Sequence, residues 1–356
     1  MTAFLDIDLG AVVANWRLLA GMTKGEAASV VKADAYGLGA ARVAPALAAA
    51  GCTTFFTAHL AEAVALRTIL PDARILALNG VAPHSAAAFI AHKLIPVLGS
   101  LHDVEQWRAA ANRLERKLPA FLHLETGMNR LALSVQELAI LQAQPERLEG
   151  VVVDTVMTHL IAAETPDDPR NGAQLARFLA LAGQFPGAKR SIANSPGSFL
   201  GEAFHLDLIR PGAALYGLNT SPAQAQPMRP AVRLRAPILQ IHDIQPGTSV
   251  GYGGAWTAQR PSRIATIGVG YADGLHRSLS NRGSAVFDDT PVPLVGRVSM
   301  DLSTFDVTDV PAKPGDLLTL LDPAHGPDAL GREAQTIGYE ILTSLGRRYE
   351  RRYIDA

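Results

Sequence analysis

Val30-Val31-Lys32-Ala33-Asp34-Ala35-Tyr36-Gly37-Leu38-Gly39 is the stretch on which the reading of this chain turns. Two β-branched apolar residues deliver a lysine to the end of what reads as a buried strand. A short loop with one tyrosine and two glycines then leads into an alanine-rich helix. A lysine in so apolar a setting rarely lacks a partner. Either its head snorkels to water at the strand end, or it stays desolvated and its pKa falls from about 10.4, leaving a usable amine near neutral pH. Schiff-base chemistry needs an amine of the second kind.

Outward from this stretch a rhythm sets in. Apolar strand-like runs fall near 28–32, 53–57, 74–78, 94–98, 119–124, 150–158, 190–194 and 206–210, after a first short alternating run at 4–9. Between them lie stretches with helical spacing of apolar residues, such as 9–22, 60–70, 101–116 and 172–185. Strands alternating with helices imply parallel βαβ units, and eight such units close into a (β/α)8 barrel. A barrel typically takes about 250 residues, close to the length used by Gly217. The expected fold is therefore α/β, a (β/α)8 barrel over 1–225, followed by a smaller mainly-β domain over 226–356. The second domain is read from runs at 231–244, 263–269, 284–287, 292–298, 303–307 and 317–321, separated by turn residues and without intervening helices. The proline-rich 221–230 reads as a linker, and 334–348 as one closing helix.

Bulk composition narrows the function. The 356 residues carry 32 Lys+Arg against 33 Asp+Glu, a balance that argues against nucleic acid and anionic membranes and suits a small-molecule enzyme. A single cysteine, Cys52, excludes an internal disulfide and implies a reducing compartment. The N-terminus has acids where a signal peptide carries basic residues, and no apolar run reaches the ~18 residues of a membrane span. A cytoplasmic protein is expected.

Reactive groups of a (β/α)8 barrel sit at the carboxyl ends of its strands. Those ends carry Lys32 and Tyr36; Glu125-Thr126-Gly127-Met128-Asn129-Arg130; Thr158-His159; Ala193-Asn194-Ser195; and Arg210-Pro211-Gly212-Ala213. Each has a plain reading: Arg130 as a surface residue, His159 as a core histidine, Asn194-Ser195 as a helix cap, and Arg210-Pro211-Gly212 as a turn. Their joint placement at strand ends argues otherwise. Gly212 lets backbone N–H groups approach an anion, and the last two strands of a barrel are the usual phosphate cradle. An amine facing that cradle points to pyridoxal 5′-phosphate held as a Schiff base.

Seven segments together resemble the alanine racemases: Val31-Lys32-Ala33-Asp34-Ala35-Tyr36-Gly37, Glu125-Thr126-Gly127-Met128-Asn129-Arg130-Leu131, Ala193-Asn194-Ser195, Arg210-Pro211-Gly212-Ala213-Ala214-Leu215-Tyr216-Gly217, Tyr252-Gly253, Gly270-Tyr271-Ala272-Asp273-Gly274 and Gly296-Arg297-Val298-Ser299-Met300-Asp301. The resemblance implies an isomerase that racemises alanine, a homodimer in which each active site is completed by the other subunit's β domain. It implies Lys32 as cofactor anchor and base on one face of the substrate, and Tyr252 of the partner subunit as base on the other. Tyr36, Ser195, Gly212 and Ala213 would hold the phosphate, with Asn194 beside them. Arg210 would face the pyridine nitrogen, His159 would link Arg210 towards Tyr252, and Arg130 would meet the cofactor's phenolic oxygen and the substrate carboxylate. Tyr271, Met300 and Asp301 would shape the substrate end. No metal is implied. The resemblance leaves open whether the role is catabolic or supplies D-alanine for peptidoglycan precursors.

Two positions depart from the family pattern. His123 stands where a lysine, often carbamylated, lies seven residues before the arginine matched by Arg130, so a small anion such as chloride, or a nearby carboxylate, is expected to replace that charge. Leu38 replaces a histidine between the two glycines. Three other readings are weighed. A PLP-dependent decarboxylase shares the domain plan, but Arg210 at the pyridine nitrogen speaks against it. A non-catalytic PLP-binding protein would need only the barrel. A broader serine/alanine racemase fits as well, because an apolar pocket rejects one added hydroxyl only weakly.

Overall fold

A computed structural model describes residues 2–221 and 227–355. The expected domain boundary at 225/226 and part of the 221–230 linker lie outside the described residues. The strands of the first part are β1 (Phe4–Asp8), β2 (Glu26–Ala27), β3 (Ser29–Val30), β4 (Thr54–Thr57), β5 (Arg74–Ala77), β6 (Ile95–Leu98), β7 (Leu118–His123), β8 (Val151–Met157), β9 (Lys189–Ser191) and β10 (Leu208–Ile209). From β3 to β9 they form one parallel sheet in chain order. The sheet closes into a barrel because β2 and β3 are one strand interrupted at Ala28: β2 pairs in parallel with β10, and β3 pairs with β4. Backbone hydrogen bonds from Ala28 to Ile209 (3.0 Å), Val30 to Pro211 (2.9 Å) and Arg210 to Ala193 (2.9 Å) complete the ring. The apolar runs predicted from the sequence lie on these strands because parallel barrel strands are buried on both faces. Phe55, Phe56 and Phe121 are fully buried, with Phe56 and Phe121 edge to face at 5.9 Å.

The second part holds β11 (Val232–Ile244), β12 (Ser249–Val250), β13 (Trp256–Thr257), β14 (Ser262–Ile267), β15 (Ser284–Phe287), β16 (Thr290–Pro293), β17 (Ser303–Asp306), β18 (Leu317–Leu321) and β19 (Glu350–Ile354). The long β11 joins two groups: its first half pairs with β18 and its second half with β14. The first strand of the chain belongs to this sheet. β1 runs antiparallel to β11 and parallel to β19, with Leu5 and Ile7 of its alternating Phe-Leu-Asp-Ile-Asp pattern fully buried. Asp8, at the end of β1, accepts the Ala11 N–H (2.7 Å) and caps the helix Leu9–Met22 that opens the barrel.

The closing helix expected at 334–348 is instead two short helices, Pro327–Glu333 and Gly338–Ser344, followed by β19. Gln335 adopts φ +60° between them, and glycines allow the close crossing. A Cβ on Gly331 would lie 2.9 Å from the Ile337 carbonyl carbon, and one on Gly338 would lie 2.3 Å from Asp328 Oδ1.

Candidate active site

Lys32 follows β3 after the single residue Val31, and the residues after it form a left-handed turn. Ala33, Asp34, Ala35 and Tyr36 all have φ between +52° and +55°, a conformation that costs an L-residue about 1–2 kcal/mol each. The turn is held from several directions. Glu62 accepts the Ala33 N–H (2.7 Å), Asp34 accepts the Ala40 N–H (2.7 Å), and Val31 O accepts the Ala35 N–H (2.9 Å). The C-terminal part of the same chain adds Arg351, whose guanidinium donates to Gly37 O (2.6 Å), and Tyr353, whose hydroxyl donates to Leu38 O (3.1 Å). Gly37 (φ +83°) must be glycine: a Cβ there would lie 2.3 Å from Leu342 O. Strain clamped by its surroundings in this way clusters at functional sites.

The turn delivers Lys32 and Tyr36 into a cavity of about 1040 Å³ at the carboxyl ends of the strands. Burial holds the Lys32 amine below the usual lysine range, helped by the Arg130 charge and opposed by Glu62. Arg130, His159, Asn194, Ser195, Arg210, Gly212 and Ala213 line the same cavity, as does His123. The nine barrel residues singled out in the sequence are thus brought together.

Their arrangement divides the cavity into two ends. At one, Ser195 Oγ accepts the N–H groups of Gly212 (2.8 Å) and Ala214 (3.2 Å), which leaves its own proton to donate. Tyr36 lies over Gly212, where a Cβ would come within 2.4 Å of the Tyr36 hydroxyl oxygen. Tyr36 also packs against Tyr216 (ring centroids 4.7 Å). Asn194 Oδ1 accepts the Gly197 N–H (3.0 Å), so it caps the turn Pro196–Phe199 while lining the cavity. At the other end Arg210 is buried, its guanidinium donating to Ser191 Oγ and to Thr158 O (2.6 Å). Burial pulls Arg210 down to about 9, so it stays protonated at neutral pH. His159 and His123 are each pushed down to about 3, first by burial and then by the Arg210 charge, so both are neutral. His123 therefore supplies no negative charge, and among the described residues no carboxylate lies within salt-bridge distance of Arg130. Two arginines, an available amine and a cradle of hydroxyl and backbone donors suit an anionic group that bears a carbonyl.

Tyr252, Tyr271, Met300 and Asp301 do not line this cavity. Tyr252 sits at the tip of the β12–β13 hairpin and is 68% exposed, Met300 is 54% exposed and Tyr271 43%. Asp301 is bound by Arg348 (2.7 Å), which also clasps the buried Asp273 (2.6 and 2.8 Å). Through this clasp the loops bearing Tyr271 and Met300 form one surface, joined by the hydrogen bonds Tyr271 N to Ser299 O and Ala272 N to Met300 O (both 3.0 Å). Sequence reasoning missed the C-terminal contribution to the cavity: Ile337, Tyr339 and Thr343 line it, with the Tyr339 ring 6.3 Å from Tyr36. A single helix read across 334–348 carried no signal for them. Among the described residues no group of three metal-ligating side chains could hold a metal ion, and no helix is long and apolar enough to cross a membrane.

Comparisons with known proteins agree with this geometry. The family model "Alanine racemase, N-terminal domain" matches residues 7–220, and "Alanine racemase, C-terminal domain" matches 231–353. The alanine racemase of Acidiphilium cryptum is 59% identical over 348 residues, covering 98% of this chain and 97% of the relative. The crystal structure of alanine racemase from Bartonella henselae with covalently bound pyridoxal phosphate superposes with a TM-score of 0.96 at 41% identity, over 99% of this chain and 100% of that one. The biosynthetic alanine racemase of Pseudomonas aeruginosa superposes with a TM-score of 0.93 at 32% identity, over 99% of each chain.

Proposed function

The chain belongs to the alanine racemase family, and from that premise we propose that it interconverts L- and D-alanine with pyridoxal 5′-phosphate anchored at Lys32 and Tyr252 of the partner subunit as the opposing base. One observation carries the reading: a desolvated lysine amine shares a cavity with a hydroxyl-and-amide cradle at one end and a buried arginine at the other. Tyr36, Ser195, Gly212 and Ala213 hold the phosphate in this reading, and Asn194 supports the turn beside it. When bound, the cofactor supplies a conjugated ring that takes up the electron pair left on the substrate α-carbon as its proton departs.

The protein's own part is to move that proton between faces. A planar carbon held in one orientation presents its two faces to opposite walls, and a single base reaches only one of them. Lys32 Nζ, held below the usual lysine range, accepts or returns the proton on one face. The phenol of the partner's Tyr252 returns or accepts it on the other, which its exposure in one chain supports. Arg210 keeps its proton at neutral pH, so it would offer a facing ring nitrogen a hydrogen bond without giving up the proton. Neutral His159 leads from Arg210 towards the second base, and Arg130 at the mouth binds the substrate carboxylate. Tyr271, Met300 and Asp301 close the substrate end across the dimer. A small anion such as chloride beside Arg130 takes the place that neutral His123 cannot fill.

Incubating the protein with L-alanine and pyridoxal 5′-phosphate should yield D-alanine and a visible absorbance band from the bound cofactor. Lys32→Ala should abolish both. A band that survived Lys32→Ala, or no D-alanine from the wild type, would contradict the reading.

A further inference from the structure

Behind the cavity wall lies a buried amide that the mechanism does not use. Gln174, on the helix Pro169–Ala182, is 3% exposed and is not among the cavity-lining residues. Its side-chain amide nitrogen donates to Thr126 Oγ1 (3.0 Å) and to the His159 carbonyl (3.1 Å), and its oxygen accepts the Ile161 N–H (2.9 Å). The backbone from the His159 carbonyl to the Ile161 N–H is therefore pinned to one side chain. The Thr126 hydroxyl shares a 2.7 Å hydrogen bond with the Thr158 hydroxyl, and the Thr158 carbonyl receives Arg210 Nη2 (2.6 Å). Thr158 N in turn donates to Ser191 O (3.0 Å), and Ser191 Oγ receives the other Arg210 nitrogen. One glutamine thus ties the segment after β7 to the segment after β8, and the latter carries both His159 and the acceptor that aims Arg210.

We propose that Gln174 is a positioning residue: it sets the orientation of Arg210 and His159 against the cofactor ring without touching cofactor or substrate. The inference rests on the reading of the cavity given above. Arg210 is held by directional hydrogen bonds to Thr158 O and Ser191 Oγ, and His159 is carried on the same backbone as Thr158, so a shift of the 158–161 segment moves them together. Misplacement of about 1 Å at such a site costs up to roughly a hundredfold in rate. Substrate affinity, set mainly at Arg130 and the partner-facing loops, is expected to change little. The signature is a fall in kcat at nearly constant KM, with a changed chiral environment for the bound cofactor.

Two variants of the holoenzyme test this. Gln174→Leu removes every polar contact; its kcat for alanine should fall on the order of tenfold, with KM nearly unchanged and an altered visible circular dichroism band. Gln174→Glu keeps the shape but, ionised beside Arg170 and Arg177 of the same groove, cannot donate to Thr126 or to the His159 carbonyl. Its kcat at neutral pH should therefore fall at least as far as that of Gln174→Leu, with KM nearly unchanged and the same alteration of the circular dichroism band. If Gln174→Leu does not fold, the kcat and circular dichroism of Gln174→Glu decide alone. Folded variants with wild-type kcat and circular dichroism would overturn the proposal. Failure of the underlying reading shows separately, as a wild type with no cofactor band.

Discussion

Lys32 feels the Arg130 charge and the opposing carboxylate of Glu62, and His123 and His159 in the same cavity are kept neutral at about 3. That neutrality has a consequence for stability. In the unfolded chain both histidines take up protons near the ordinary value of 6.5, whereas in the folded state they do so only near 3. The unfolded state therefore binds more protons between these limits, and stability falls as pH drops from 6.5 towards 3, by up to about 1.4 kcal/mol per pH unit for each group. Thermal unfolding should show the melting temperature falling across this window, and His123→Leu should flatten the slope by roughly one proton. A slope unchanged in His123→Leu would show that His123 titrates normally. Lys32, Tyr36, Arg130, His159, Ser195 and Arg210 were legible in the sequence because barrel chemistry falls at strand ends, which the apolar runs located. Gln174 and Tyr339 were not: a glutamine inside an amphipathic helix and a tyrosine beside a glycine have no pattern that separates them from ordinary packing.

The element that matters most is the left-handed turn from Ala33 to Tyr36. Its strain was hidden in the sequence, since alanine carries no preference for positive φ and only Gly37 and Gly39 hinted at it. The turn forms because contacts distant in sequence, from Glu62, Arg351 and Leu342, over-determine it. Opposite effects follow at neighbouring positions. Ala33→Gly, at an exposed site with φ +52°, should stabilise the protein by about 1 kcal/mol. Gly37→Ala should destabilise it by roughly 1–3 kcal/mol and weaken cofactor binding, since the new methyl meets a backbone carbonyl. Chemical denaturation measures both; equal effects of the two substitutions would remove the turn's strain from the account. The barrel strands themselves were read nearly to the residue, because buried parallel strands are short apolar runs between helices. The closing segment was misread because two helices crossing at Gly331 and Gly338 leave an apolar pattern that looks continuous.

At the scale of the molecule, the two parts are sewn together rather than strung. The first strand pairs with both β11 and β19, and the C-terminal residues Arg351 and Tyr353 hold the lysine turn at the barrel mouth. Sequence periodicity marks a strand without naming its partners, so the membership of β1 in the second sheet was beyond its reach. The same holds for the exposed surface of Tyr252, Tyr271 and Met300, whose purpose emerges only if a second chain brings it over the cavity. Complementation between two inactive variants tests that arrangement most directly. Lys32→Ala and Tyr252→Phe homodimers should each lack racemase activity, by roughly a hundredfold or more for the second. Mixed under conditions that let subunits exchange, they should regain about a quarter of the wild-type activity, because each hybrid dimer holds one site with both bases intact. A mixture in which hybrid dimers form and no activity returns would place both bases in the same chain and contradict the account.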